Sequence, residues 1–543
     1  MGSLWSSVAS IATVVAVLAV VHVPLGNWMH WVFTSDKHWR VERVVYKLVG
    51  VNPDVEQRWS VYAVAVLAFS VVSVVVLWVF LMAQGVLPFS LGRSMSVDTA
   101  LNTAVSFVTN TNWQSYAGEA GAGYLVQALG LAVQNFLSAA VGLAVAVAVI
   151  RGLARQNTDR LGNFWVDLVR GTLRLLLPIA TVAAVVLILG GVIENLHDPM
   201  AITTIAGGQQ ELSGGLVASQ EAIKNLGTNG GGYFGANAAY PYENPTGWTN
   251  LIEILLILLI PSALPRTYGL MVGDKRQGWT MAGIMAVLGT GAMSLMTWSE
   301  VSGGSMEGKE QRFGTAWSAI FASITTSTST GAVDASHESL QPLSGGLATL
   351  NMMLGELSPG GVGSGLYSML IMIIVTVFIA GLTVGRTPEL LGKTIGRREI
   401  TLAALAMLVT PLLVLLGTGI SLVLPVSHAA LSGSGPYGMS EMLYAFTSAA
   451  NNNGSAFAGL AAGQPYLNLA LALCMLVGRF VPIVAVLALA GGFAKQGRRP
   501  ETAGTMPTHT VTFAGFVVVV ILIVAGLTYF PSLALSSVAE ALG

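Results

Sequence analysis

The sequence contains few charged side chains, which make up 9% of its 543 residues, whereas a soluble domain carries about 25%. Hydrophobic residues make up 53%. Because a lipid bilayer excludes ionised side chains, this deficit of charge indicates an integral membrane protein. The only cysteine, Cys474, lies in an apolar run, which excludes disulfides and cysteine-rich metal sites. A net charge of −1 gives no support for binding to nucleic acid.

Ten apolar runs are long enough to cross a bilayer as helices, which takes roughly 20 residues, and they predict an all-α membrane protein. The first run has no basic segment before it, so we expect it to be kept as a membrane helix and not removed as a secretory signal. The predicted spans are Leu4–Val23, Val61–Met82, Tyr124–Val149, Leu175–Ile193, Leu251–Leu264, Trp279–Met296, Leu366–Val384, Leu402–Leu424, Leu467–Ala490 and Val511–Phe530.

Basic residues predict the orientation of these helices. Most of the 25 Lys and Arg residues follow the first, third, fifth, seventh and ninth spans, within residues 37–58, 151–174, 266–276, 386–398 and 495–499. The positive-inside rule places those connections in the cytoplasm. Both chain termini are then predicted to lie outside the cytoplasm.

Small polar clusters recur in the four connections on the other side, at residues 108–114, 226–232, 326–332 and 450–455. Each cluster follows a moderately apolar stretch. Successive clusters lie about 100 to 120 residues apart, as expected for the internal repeats of a transporter. The pattern predicts four pseudo-symmetric repeats of helix, pore helix, filter loop and helix around a pore.

The residue types in these clusters suit a potassium filter. Dehydrated K⁺ needs several oxygen ligands, and rings of backbone carbonyls supply them without a full charge that would trap the ion. Glycine and asparagine tolerate the unusual dihedral angles that bring carbonyls together, and the preceding helices would point partly negative C-terminal ends at a cation. Since Asn-Gly and Gly-Gly are also ordinary turn signals, four external turns are the alternative. The predicted K⁺-binding residues are Asn110, Thr111, Asn112, Thr228, Asn229, Gly230, Ser329, Thr330, Gly331, Asn452, Asn453 and Gly454, with Gln114 as a support of the first loop.

Longer stretches around these clusters resemble the KdpA family, the potassium-binding subunits of the bacterial Kdp potassium-transporting P-type ATPases. The resemblance lies in residues 105–114, 227–232, 243–246, 360–367, 385–389 and 447–459, which are spread over most of the chain. It implies the fold of the superfamily of K⁺ transporters, with one extra helix at each end of the four repeats. In the third loop the family often has Ser-Cys-Gly, where this chain has Ser329-Thr330-Gly331.

The resemblance and the spans together predict six segments. They are an N-terminal helix and loop (1–60), the four repeats (61–160, 161–276, 277–398 and 399–500) and a C-terminal transmembrane helix (501–543).

The stretch from Pro342 to Val384 must break. As one helix at about 1.5 Å per residue it would be roughly twice as long as a bilayer core of about 30 Å is thick. The resemblance implies that the break gates the pore and shapes a tunnel toward the pump subunit, whereas packing glycines in a plain turn are the alternative. Arg479, in an otherwise apolar helix, is predicted either to limit K⁺ entry to the inner vestibule or to pair with a carboxylate or carbonyls. The predicted gate and tunnel residues are Glu356, Gly360, Gly361, Gly363, Gly365 and Arg479.

The sequence offers no machinery for ATP hydrolysis. Gly392-Lys393-Thr394 looks like the end of a P-loop, but residue 387 is threonine where that motif needs glycine. The longest predicted cytoplasmic loop, Pro24–Ser60, is too short for a nucleotide-binding domain. The chain alone is therefore predicted to be non-catalytic, with no covalent cofactor and with K⁺ as the transported ion.

The leading prediction is the potassium-binding subunit of an ATP-driven, high-affinity K⁺ uptake pump. The resemblance implies a catalytic subunit, KdpB, the accessory subunits KdpC and KdpF, and the bacterial inner membrane. A stand-alone K⁺ channel or ion-coupled K⁺ transporter of the same superfamily is the alternative, and it would conduct without a partner. A solute symporter with inverted repeats fits less well, because the four repeats share one orientation.

Overall fold

The computed structural model describes residues 2–500 and 505–542, which are mostly helical. Ten helices among these residues are long and apolar enough to cross a membrane, and each overlaps one predicted span, so the predicted all-α membrane fold is confirmed. The boundary predicted at residue 501 and the terminal residues 1 and 543 lie outside the described residues. The ten spans are Trp5–Thr34, Trp59–Val86, Tyr124–Ala154, Phe164–Leu189, Gly247–Met271, Lys275–Gly303, Ser364–Val384, Arg397–Val423, Pro465–Lys495 and Val511–Leu542.

Several spans continue through prolines. The first helix, Gly2–Thr34, contains Pro24, and the fifth span, Gly247–Met271, contains Pro261 and Pro265. In a membrane protein, neighbouring helices and local adjustments satisfy the backbone groups that a proline frees, so the helix need not end there. The loop predicted at Pro24–Ser60 is correspondingly shorter: it holds the end of the first helix and the helix Arg40–Val49.

Four shorter helices lie in the connections that contain the polar clusters. We call them the pore helices, and they are Val97–Val108, Val217–Leu226, Gly314–Ser327 and Gly435–Asn451. Each pore helix is followed by one of the predicted loops and then by the next span. The predicted order of helix, pore helix, loop and helix is therefore present four times.

The span after each loop is the more buried member of its repeat. In the third, fifth, seventh and ninth spans, 83%, 61%, 67% and 50% of the most apolar window is buried, against 22% to 33% in the other spans of the repeats. We call these four the inner spans. The remaining spans expose rows of valine and leucine, such as Val64, Val71 and Val75 on the second span, as expected for surfaces that face lipid.

Within the described ranges, two small hairpins depart from a purely helical fold. Met200–Thr203 pairs antiparallel with Gln209–Leu212 in the second connection on the pore-helix side, and Glu389–Leu390 pairs with Lys393–Thr394 on the opposite side. We call that opposite side the basic side, because it carries the basic connections. The other short helices are Gln84–Val86, Gly118–Gly121, Asn237–Ala239, His337–Ser339, Pro342–Met353 and Pro425–His428.

Candidate functional site

Each pore helix ends in the same kind of turn. In every case a backbone N–H donates to the carbonyl five residues earlier, a pattern typical of helix C-termini. The four bonds run from Thr111 to Ser106 (2.9 Å), Asn229 to Lys224 (2.9 Å), Thr330 to Thr325 (3.2 Å) and Asn453 to Ser448 (2.9 Å).

The residue before each of these donors has a left-handed backbone. The φ angles are 69° at Asn110, 48° at Thr228, 55° at Ser329 and 59° at Asn452. Residues other than glycine adopt this region rarely, although asparagine does so more readily than most. Four occurrences at equivalent places show that the loops begin with the same turn, so the predicted fourfold repeat extends into the loops.

Backbone carbonyls from three loops converge on the fourth loop at Gly230. A Cβ at Gly230 would lie 2.6 Å from the carbonyl oxygen of Thr330, 2.8 Å from that of Thr111 and 2.9 Å from that of Asn453. Thr111, Thr330 and Asn453 are the equivalent donors of the turns described above. The loops thus bring equivalent carbonyl oxygens to one place, which is the geometry that a dehydrated cation requires.

The loops also touch one another in a closed ring. Gly230 of the second loop approaches the third, and a Cβ at Gly331 would overlap the carbonyl of Asn453 in the fourth. Side-chain hydrogen bonds join the other neighbours and strengthen the contact between the third and fourth loops. These bonds run from Asn110 Nδ2 to the Thr228 carbonyl (2.7 Å), from Asn452 Nδ2 to Thr111 Oγ1 (3.0 Å) and from Ser329 Oγ to the Asn451 carbonyl (2.8 Å).

The predicted glycines contribute in two ways. Gly331 and Gly454 have positive φ, as expected, but Gly230 does not. In the second loop the positive φ that follows that of Thr228 is at Gly231 (71°). Gly230 is needed instead because three carbonyls approach its Cα too closely for a side chain. In the first loop Asn112 (φ 59°) stands at the position of Gly331 and Gly454.

Two polar residues of the third span support the first and second loops. Ser138 Oγ donates to Asn110 Oδ1 at 2.7 Å and lies 3.1 Å from Asn229 Oδ1. The Asn135 carbonyl accepts from Asn229 Nδ2 at 2.9 Å, and Asn135 Oδ1 accepts from Asn112 Nδ2 at 2.7 Å. The sequence analysis missed both residues. Their signal in the sequence was the group of polar residues Gln134, Asn135 and Ser138 inside a long apolar span.

Gln114 bridges the first and second loops. Its Oε1 accepts from the Gly232 N–H at 2.9 Å, and its Nε2 donates to the Tyr116 hydroxyl at 3.4 Å. The Gln114 side chain therefore connects the two loops, in agreement with the supporting position predicted for it.

The predicted break between Pro342 and Val384 is present. The helices Pro342–Met353 and Ser364–Val384 flank residues 354–363, which lie against the ends of the pore helices. We call residues 354–363 the gate loop. Its bonds to the filter region run from Asn453 Nδ2 to Glu356 Oε1 (2.8 Å), from the Gly360 N–H to the Ser327 carbonyl (3.0 Å) and from the Val362 N–H to Thr228 Oγ1 (2.9 Å).

Glycines let the gate loop pack tightly on the inner spans. Gly363 has φ 87°, and a Cβ there would overlap the carbonyl of Gly142 in the third span. Gly360 packs directly on Gly365, the second residue of the following helix, and Gly361 packs on Ser329 of the third filter loop. All four predicted gate glycines thus lie in one close-packed region between the filter and the basic side.

A cavity of about 120 Å³ lies beside the contact between the filter and the gate loop, and we call it the vestibule. Its lining includes Ser329 and Asn452 of the filter, Glu356 of the gate loop, and Arg479 of the ninth span. Arg479 is only 5% exposed, and within residues 2–500 and 505–542 it has no hydrogen bond or ion pair. The guanidinium faces the vestibule, and both roles predicted for Arg479 stay predictions.

Comparisons with known proteins agree with these features. The model of the KdpA family, described as the potassium-transporting ATPase A subunit, matches residues 12–542. The chain belongs to the KdpA family. KdpA relatives named "Potassium-transporting ATPase potassium-binding subunit" occur in Mycobacterium avium (56% identity, covering 99% of this chain and 100% of the relative) and in Streptomyces coelicolor (56% identity, covering 100% of both). The predicted family is thereby confirmed.

The fold of this KdpA-family chain extends beyond the family. The crystal structure of the potassium transporter TrkH from Vibrio parahaemolyticus superposes with a TM-score of 0.53 at 15% identity, covering 87% of this chain and 96% of TrkH. At this identity the likeness concerns the fold alone.

Proposed function

We propose that this chain is the potassium-binding subunit of an ATP-driven K⁺ uptake pump. It binds K⁺ in a filter made by its four loops and passes the ion toward an ATPase subunit. The observation that carries the proposal is the convergence of the Thr111, Thr330 and Asn453 carbonyls beside Gly230. The names of the KdpA relatives support the same ion and the same division of labour.

K⁺ is the transported ion in this proposal. Neutral carbonyl oxygens from the loops at Asn110–Asn112, Thr228–Gly230, Ser329–Gly331 and Asn452–Gly454 replace its water, and no carboxylate in these segments traps it. The four pore helices point their partly negative C-terminal ends toward the loops, which favours a cation. Gln114, Asn135 and Ser138 hold the loops in position through the bonds described above.

The route of the ion turns sideways below the filter. The gate loop covers the path toward the basic side through its bonds to the pore helices. The vestibule extends between the eighth span, at Thr410 and Pro411, and the tenth span, at Thr528 and Tyr529. Arg479 repels K⁺ at the floor of the vestibule, and the ion leaves between these two spans toward the partner.

The pump needs a catalytic partner because this chain supplies the filter and not the hydrolysis of ATP. By family membership that partner is KdpB, with KdpC and KdpF as accessory subunits. The basic side faces the cytoplasm of a bacterial inner membrane, which places both termini outside it. The four repeats are the segments 61–160, 161–276, 277–398 and 399–500, between one helix at each end.

Two measurements on the purified protein test the proposal. A tag on this chain should co-purify a P-type ATPase subunit, and the complex in proteoliposomes should accumulate K⁺, or Rb⁺ as its tracer, only when ATP is present on the basic side. A purified chain that conducts K⁺ without any partner would instead favour a stand-alone channel. Uptake that does not discriminate K⁺ from Na⁺ would argue against the four-loop filter.

A further inference from the structure

Below the vestibule the central axis of the fold is filled with apolar side chains. The space between the third, seventh and ninth spans measures only about 10 Å³. These are three of the four inner spans. The side chains that enclose it include Val149, Leu153, Leu370, Ile374, Val486 and Phe493, and each is at most 4% exposed.

This space continues the vestibule toward the basic side. Tyr367 and Ile371 of the seventh span line both cavities, so the two follow one another along the axis. Tyr367 lies one helical turn beyond the end of the gate loop, because its N–H donates to the carbonyl of Gly363, the last residue of that loop. Leu153 and Phe493 lie near the basic ends of the third and ninth spans, which end at Ala154 and Lys495. The apolar side chains therefore fill the path from the gate loop almost to the basic surface.

Water does not fit this space as a continuous file. A single buried water needs about 10 to 15 Å³ and two to four polar partners. The space offers room for one water at most, and Tyr367 is the only lining residue with a polar side chain. An ion there would lose its hydration without gaining ligands, which is strongly unfavourable in an apolar medium.

We propose that these side chains form a hydrophobic plug, a second barrier that closes the direct path to the basic side independently of the gate loop. Hydrophobic constrictions block ions by staying dry. The gate loop is a glycine-rich connection between two helices, whereas the plug is part of the packed core of three spans and opens only when those spans separate. This inference rests on the proposed function, because it assigns to the plug the task of keeping K⁺ on the sideways route.

Passive flux of Rb⁺ from proteoliposomes without ATP tests the plug in the intact complex. The gate variant lacks residues 360–363. The plug variant carries Leu370→Asn and Ile374→Asn, and its matched control carries Ile379→Asn, which is on the same helix but 39% exposed toward lipid. We expect the gate variant, the plug variant and the control each to stay as tight as the unmodified complex, and the combined gate and plug variant to leak at least about tenfold faster.

The outcomes separate the two proposals. A gate variant that leaks as fast as the combined variant, or a combined variant that stays tight, overturns the plug. Absence of ATP-driven uptake by the unmodified complex in the same vesicles overturns the proposed function instead.

A second measurement does not depend on deleting the gate loop. Ag⁺ reacts with thiols and can follow K⁺ into a K⁺ pathway, so cysteines report which positions are wet. In a Cys474→Ala background we expect Ag⁺ to inhibit uptake by Ser368→Cys, whose side chain lines the vestibule, and to leave Ile374→Cys unaffected. Equal inhibition of both variants would show that the axis is wet at Ile374 and would overturn the plug.

Discussion

At Gly230 the absence of a side chain makes room for the oxygens of three other loops. A methyl group there would lie 2.6 to 2.9 Å from backbone carbonyls of Thr330, Thr111 and Asn453, closer than ordinary contact allows. These atoms belong to backbone held by the turns at the ends of the pore helices, so they cannot move aside as the end of a flexible side chain could.

Gly230→Ala should therefore weaken K⁺ binding by tenfold or more, which corresponds to about 1.4 kcal/mol per factor of ten. The K⁺ dependence of ATP hydrolysis by the purified complex measures this apparent affinity. Gly283→Ala is the matched control, since a methyl group at Gly283 meets no atom within 4 Å. An unchanged affinity in Gly230→Ala would remove this position from the filter.

Gln114→Arg should lower K⁺ affinity by placing a fixed positive charge beside the first two loops. At an effective dielectric constant of about 20, two unit charges about 4 Å apart repel by about 4 kcal/mol, and water at the mouth of the pore reduces this figure. Gln114→Met removes the bonds to the Gly232 N–H and the Tyr116 hydroxyl without adding a charge. Apparent K⁺ affinity should follow the order wild type, Met, Arg, and equal affinities in both variants would exclude the effect of charge.

At the residue scale, the sequence predicted which residues form the loops. It did not always predict the physical reason for which each residue is needed. Gly230 was predicted for its backbone freedom, and the structure requires it for close approach. Asn135 and Ser138 were missed because their partners, Asn112 and Asn110, lie more than 20 residues away in sequence. Contacts of this kind depend on how the spans pack, which one sequence does not specify.

At the element scale, Lys393 shows how the basic side is held together. This buried lysine follows the turn of the small hairpin Glu389–Leu390 and Lys393–Thr394. Its ammonium donates to three carbonyls at the basic ends of the third and ninth spans, those of Arg155 (2.6 Å), Phe493 (3.0 Å) and Gln496 (2.6 Å). A lysine that resembles the end of a nucleotide-binding motif thus ties two inner spans to a hairpin.

Lys393→Met should destabilise the folded chain while leaving the filter intact. Each lost hydrogen bond to a charged donor is worth about 1.5 to 3 kcal/mol, and three carbonyls would lose theirs together. We expect a clear drop in the melting temperature of the detergent-solubilised complex. Lys495→Met, at an exposed position nearby, serves as the control. An equal melting temperature in both variants would show that the three hydrogen bonds of Lys393 do not stabilise the chain.

The presence of each helical span was predicted correctly, whereas the residues at which some spans end were not. The gate loop followed from length alone, because an unbroken helix from Pro342 to Val384 does not fit a bilayer. The ends of the first and fifth spans were misplaced because prolines were taken as boundaries. The hairpin Met200–Thr203 and Gln209–Leu212 was not predicted, since it is short and its strands are mostly exposed.

At the scale of the whole molecule, the ten spans could be predicted because each is a long apolar run with few charges. The burial of the four inner spans could not, since inner and outer spans are similarly hydrophobic. One inner span follows each loop along the chain, so the fourfold repeat of the loops is also a repeat of the inner spans.

The proposed orientation predicts which positions a membrane-impermeant thiol reagent can reach. In a Cys474→Ala background, Ser434→Cys, exposed before the fourth pore helix, should be labelled on intact cells. Gly497→Cys, exposed on the basic side, should be labelled only after the cells are opened. The reverse pattern would invert the topology.

The closed ring of four loops comes from one polypeptide, and this has a genetic consequence. In a pore built from four identical subunits, one altered codon changes every ligand of a ring at once. Here one codon changes a quarter of the ring, and the other three loops keep their own residues, as Asn112 already differs from its counterparts Gly331 and Gly454. Selection can therefore tune the affinity of this filter in small, separate steps, and strains that survive on intermediate K⁺ concentrations should carry single substitutions spread over all four loops.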